Sequence, residues 1–171
     1  MNCRRKYVKM FALMDAKIAE AKREIAKMDQ AATSADSFMR RLVKLLHNRM
    51  LKYNWVGFYM LEAGAQPPTL VLGPFEGEVT SHTHIPLNQG ICGAAVSGGK
   101  TLIVDDVSQD PRYLACSLET QSEIVVPVFA HGKVVGELDI DSHSRAAFGN
   151  EDRELLEYCA SLVGRQLEKN N

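Results

Sequence analysis

SEIVVPVFAHGKVVGELDIDS, residues 122–142, decides the fold. Two runs rich in β-branched residues, 123–130 and 134–142, flank the tight turn His131-Gly132-Lys133. Such runs joined by a short Gly-containing turn read as an antiparallel hairpin. In the second run Leu138 and Ile140 alternate with Asp139 and Asp141. The strand period of two puts both aspartates on one face and the apolar pair on the other. Glu123 opens the preceding strand, so the hairpin can bring it near the pair. Carboxylates sharing a sheet face repel one another, and burial raises their pKa values further. One that stays protonated near neutral pH can act as a general acid. The plainer reading of the same three acids is a solvated sheet end.

Working outward, residues 53–61 are aromatic and β-branched and read as a strand. Residues 69–72 read as a second strand, ended by Gly73-Pro74. An extended piece spans 84–87, and 101–104 is a further strand. Between them, 90–97 (GICGAAVS) reads as a short helix entered through Gly90 and ended by Gly98-Gly99. Residues 105–121 form a polar loop long enough to suggest function. Asn150 marks the start of a last helix over 151–169, with Leu155, Leu156, Cys159, Leu162, Val163 and Leu167 on its apolar face.

The N-terminal part is helical. Residues 4–30 contain no Pro or Gly, and Tyr7, Phe11, Met14, Ile18, Ala21, Ile25 and Met28 recur at alternating gaps of four and three. That is a heptad seam, fit either for packing on its own domain or for self-association. A second helix spans 36–50, with Phe38, Leu42, Leu45 and Leu46 on one face. Helices at both ends around a run of strands predict an α+β fold. The expected division is an N-terminal helix over 1–35, a possible dimerisation extension, and one domain over 36–171.

Composition narrows the function. The formal charge is −1, which argues against a nucleic-acid or anionic-membrane partner. No apolar run is long enough to span a bilayer, and no apolar segment of secretory type follows the basic N-terminus. Four scattered cysteines, with no C-x-x-C pair, do not make a disulfide scaffold or a zinc ribbon. The expected compartment is the reducing cytoplasm.

Among the cysteines, Cys3 is terminal and Cys159 lies on an apolar helix face. Cys92 sits between Gly90 and Gly93, where a helix start would favour a thiolate; a small buried hydrophobe is the plainer reading. Cys116 lies in the long loop, where access favours reactivity. Trp55 and Tyr59 supply an aromatic wall able to pack a thioether or stack on a cation. His82 and His84 form an H-x-H pair without a third ligand at convincing spacing, so no metal site and no cofactor are expected.

The stretch IPLNQGICGAAVSGGKTLIVDDVSQDPRY (85–113) resembles the middle of a GAF domain, and NWVGFYML (54–61) and residues 122–142 extend the match. NWVGFY, LVLGPFEG, GICG, a cysteine before SEIVVPV, and LDIDS together resemble the free methionine-(R)-sulfoxide reductases, over roughly residues 38–168. The resemblance implies a six-stranded antiparallel sheet with the terminal helices on one face and a loop-covered pocket on the other. It implies thiol-dependent reduction of free methionine-(R)-sulfoxide, with thioredoxin as partner and reductant, and it accords with a homodimer. It assigns Cys116 as the attacking thiol and Cys92 as its partner thiol. It assigns Glu123, Asp139 and Asp141 to holding the substrate and protonating its oxygen, and Trp55 and Tyr59 to the pocket wall. Members often carry another cysteine shortly before the Ile-Pro dipeptide; here that segment is EVTSHTHIP (78–86). Cys92 could then resolve Cys116 if their Cα atoms lie within about 7 Å; otherwise the cycle would need an external thiol, or the chain would only bind a ligand. The alternative function is a non-catalytic GAF-type small-molecule sensor.

Overall fold

The computed structural model describes residues 3–114 and 117–169, with side chains from Ala16 onward. Helices α1 (Cys3–Gln30) and α2 (Ala35–Arg49) lead into β1 (Trp55–Leu61), β2 (Thr69–Glu76) and β3 (His84–Pro86). Then come α3 (Gly90–Gly98), β4 (Leu102–Val104), a 3₁₀ turn at Val107–Gln109, β5 (Ser122–Ala130), β6 (Lys133–Ser142) and α4 (Asn150–Lys169). The strands form one antiparallel sheet in the order β3-β2-β1-β6-β5-β4. The expected α+β, six-stranded antiparallel architecture is the one observed.

Each face of the sheet has its own core. Val56, Phe58, Ile124, Val126, Leu138 and Ile140 point to one side, where α2 and α4 cover them and α1 packs on those two helices. Trp55, Tyr59, Leu70, Ile85 and Val125 point to the other, where α3 covers them. The alternation read in 134–142 is therefore a choice between two packed faces, not between core and solvent.

The hairpin turns on His131 and Gly132, at φ 50° and 73°. Two successive left-handed residues match the twist of the flanking strands, the usual two-residue solution. The second strand is longer than expected. Gly73-Pro74 does not end it; Gly57 pairs with Phe75 and Tyr59 with Leu72, so the two residues bulge opposite Phe58. A bulge absorbs a proline that cannot donate to the ladder.

The described part of the N-terminal seam, Ile18, Ala21, Ile25 and Met28, is buried in this chain's own helical core. The side chains of Tyr7, Phe11 and Met14 lie outside the described residues. At the start of α4 the Asn150 side chain is not the cap. Asp152 accepts from the Gly149 N–H at 2.8 Å and from the Tyr53 hydroxyl at 2.8 Å, and pairs with Lys52 at 2.7 Å.

Candidate active site

The site is built on three rungs of the β1–β6–β5 ladder. Trp55, Asp141 and Glu123 share one rung; Gly57, Asp139 and Val125 the next; Tyr59, Glu137 and Pro127 the third. Period two sends Glu137, Asp139 and Asp141 to the face covered by α3, beside Glu123. All four acids are buried.

Helix α3 lowers Cys92 onto this row. Its thiol donates towards Glu123 Oε1 and Asp139 Oδ2, each at 3.7 Å. The glycines around Cys92 have a structural reason. A Cβ on Gly93 would stand 2.7 Å from the Leu87 carbonyl oxygen, so only glycine lets α3 approach the end of β3 this closely. Gly90 enters the helix at φ 73°. The helix start does not present Cys92 to solvent, as expected of a low-pKa thiol. It buries the sulfur against Glu123 and Asp139.

The aromatic wall stands next to the acids. Trp55 stacks between Phe75, at 5.7 Å between ring centres, and Tyr59, at 6.1 Å. Both polar tips pin the same segment: the indole N–H donates to Glu78 O at 3.0 Å and the Tyr59 hydroxyl to His82 O at 2.7 Å. The segment between β2 and β3 is thereby drawn over the site. A narrow cleft of about 20 Å³ touches the row at Asp141 alone, lined also by Asn54, Trp55, Ser117, Thr120 and His143. Larger surface hollows, of about 650 Å³ between α1 and α2 and about 560 Å³ between β5 and α4, lie away from the acids.

Burial sets the electrostatics. It raises the Glu123 carboxyl well above the usual range, with repulsion from Asp141 and Glu137 adding to it. Asp139 is raised by burial and then by the charges of Asp141, Glu123 and Glu137. Burial takes Glu137 up to about 8, helped by Asp141, while the nearby Cys92 thiol acts the other way. Asp141 rises to about 7 through burial, eased by the Thr120 hydroxyl. Such a row holds protons at neutral pH and loses them one at a time.

The structure thus brings together Cys92, Glu123, Asp139, Asp141, Trp55 and Tyr59. Cys116 lies outside the described residues, and with it the distance between the two thiols. Cys159 is fully buried in the helical core, where burial pushes its thiol up to about 12. The sequence reading missed Glu137. Its signal was available: the period that joins Asp139 to Asp141 extends one step back to Glu137 in GELDIDS.

Residues 34–167 match the GAF domain family. The chain is 34% identical over 151 residues to the free methionine-R-sulfoxide reductase of Escherichia coli, covering 88% of this chain and 86% of that one. It is 43% identical over 113 residues to the protein of that name from Saccharomyces cerevisiae, covering 66% of this chain and 62% of the yeast protein. The free methionine-R-sulfoxide reductase of Neisseria meningitidis, solved in complex with its substrate, superposes with a TM-score of 0.80 at 32% identity, over 89% of this chain and 90% of that one. In sequence over residues 34–167, and in the layout of its sheet and helices, this chain belongs to the GAF domain family.

Proposed function

We propose that this chain reduces free methionine-(R)-sulfoxide to methionine by thiol chemistry. The observation that carries the reading is the buried row of Glu123, Glu137, Asp139 and Asp141 beside a cysteine and an aromatic wall. A site dense in carboxylates and closed to bulk water suits a small molecule bearing an ammonium group. The wall of Trp55, Tyr59 and Phe75 suits a methyl thioether. Similarity to reductases so named from bacteria and yeast supports the same substrate.

In this reading the ammonium group pairs with those acids that are ionised, while a protonated neighbour donates to the sulfoxide oxygen. Cys116 attacks the sulfur; methionine leaves, and the oxygen remains on Cys116 as a sulfenic acid. The Cys92 thiol then condenses with it, forming a disulfide and releasing water. A dithiol reductant, thioredoxin, restores both thiols by exchange. We assign the same chain to the cytoplasm and to a homodimer that uses the N-terminal helix.

The test is a thioredoxin-coupled assay with the free (R) and (S) epimers and a peptide-bound sulfoxide. Turnover of the free (R) form alone, abolished in Cys116→Ser, is expected. After one turnover without reductant, mass spectrometry should find Cys92 joined to Cys116. Stabilisation by a small ligand without turnover under any reductant would overturn the reading in favour of a sensor module.

A further inference from the structure

Cys92 Sγ stands 3.7 Å from Glu123 Oε1 and 3.7 Å from Asp139 Oδ2, and donor atoms of the three residues all lie within 4.8 Å of one another. A tetrahedral ion with a thiolate at about 2.3 Å and a carboxylate oxygen at about 2.1 Å has sulfur–oxygen edges of about 3.6 Å. The two observed edges match that figure. The donors come from α3, β5 and β6, so packing and not local chain geometry holds them in register.

A second observation points to a ligand. Glu137 is 0% exposed, yet neither of its carboxylate oxygens has a hydrogen-bond partner among the described residues; Asp139 Oδ1 also has none. Buried polar oxygens are costly unless something satisfies them. Glu137 lies one step along the same strand face from Asp139 and is a neighbour of the Cys92 thiol. It flanks a donor set of one sulfur and two carboxylates.

We propose that Cys92, Glu123 and Asp139 bind one divalent cation of the zinc class, and that this ion and the ammonium group of the proposed substrate exclude each other. The thiolate donor selects zinc, cobalt or cadmium over magnesium or calcium, which take oxygen ligands in larger number. Binding displaces the thiol proton and any protons on the acids to solvent. The H-x-H pair plays no part. Only the mutual exclusion rests on the reductase reading; the metal site stands on its own donors.

The experiment is titration of Co²⁺ into the reduced full-length Cys3→Ser/Cys116→Ser protein, which leaves Cys92 and the fully buried Cys159. A thiolate-to-cobalt charge-transfer band saturating at one equivalent, and removed by Zn²⁺, is expected. Cys92→Ser should abolish the band. Glu137→Gln and Asp139→Asn should each weaken binding about tenfold or more, since even an outer-sphere partner is worth roughly that. No band, or a band that survives Cys92→Ser, overturns the site. Indifference of the affinity to both carboxylate variants overturns it as well. Displacement of cobalt by free methionine sulfoxide supports the mutual exclusion, and co-binding refutes it. Turnover without a cobalt band would sink the metal site alone; a cobalt band without turnover in metal-free wild type would sink the reductase alone.

Discussion

Trp55 rests its indole on the backbone of Gly57, two residues along the same strand. A Cβ at position 57 would overlap the six-membered part of that ring. Gly57 in turn pairs with Asp139 across the β1–β6 ladder. One missing side chain therefore sets the position of the aromatic wall relative to the acids.

The first prediction follows. Gly57→Ala should push the indole out of its stack between Phe75 and Tyr59 and cost about 1–3 kcal/mol, the range for overpacking a close-fitted site. Trp55 is the single tryptophan, so its fluorescence reports the displacement directly. Urea unfolding followed by that emission gives the stability change. An unshifted spectrum and midpoint would show that the ring does not depend on Gly57.

Tyr59 and Trp55 both fasten the segment between β2 and β3. Tyr59→Phe removes the donor to the His82 carbonyl and should cost about 1 kcal/mol. Amide exchange should quicken between residues 77 and 83 while the β5–β6 hairpin keeps its protection. Uniform acceleration across the sheet would instead mean that the hydroxyl supports the whole domain.

The buried acids make stability depend on pH. In the folded chain Glu137 and Asp141 titrate near about 8 and about 7. In the unfolded chain they titrate near the usual value of about 4. Between those limits the folded state binds more protons than the unfolded state, so stability falls as pH rises from about 4 to 8. The melting temperature at fixed ionic strength should drop across that window. Glu137→Gln should flatten the drop, most clearly at the alkaline end. A melting temperature that rises from pH 5 to pH 8 would contradict the raised carboxyls.

Asp152 ties the lead-in to β1 to the start of α4 through Lys52, Tyr53 and the Gly149 N–H. Asp152→Ala should cost about 2–4 kcal/mol, from lost hydrogen bonds to a charged acceptor and a buried Tyr53 hydroxyl left without its partner. Tyr53→Phe in the same background should then add little, because the bond it made is already gone. Additive losses in the double variant would separate the two residues.

The hairpin of β5 and β6, the apolar face of α4 and the shared face of Asp139 and Asp141 were legible, because each depends on a short-range period in residue type. The extent of β2 was not. Gly73-Pro74 reads locally as a stop, and only pairing with β1 turns it into a bulge. Glu137 was missed for a related reason. The period of two that joins Asp139 to Asp141 reaches it, but its complete burial is decided by packing alone.

By itself, the sequence determined the alternation of residues along each strand, the turn at His131-Gly132, and the thiols and acids available for chemistry. Those follow from backbone sterics and side-chain period, which act over a few residues. The tertiary structure decided which side of the sheet is roofed by α3, and that the sulfur of Cys92 comes to rest between Glu123 and Asp139. It also decided that the described half of the heptad seam packs on its own core. Such outcomes depend on packing between residues tens of positions apart. Burial, and with it the protonation of the acidic row, exists only once those contacts have formed.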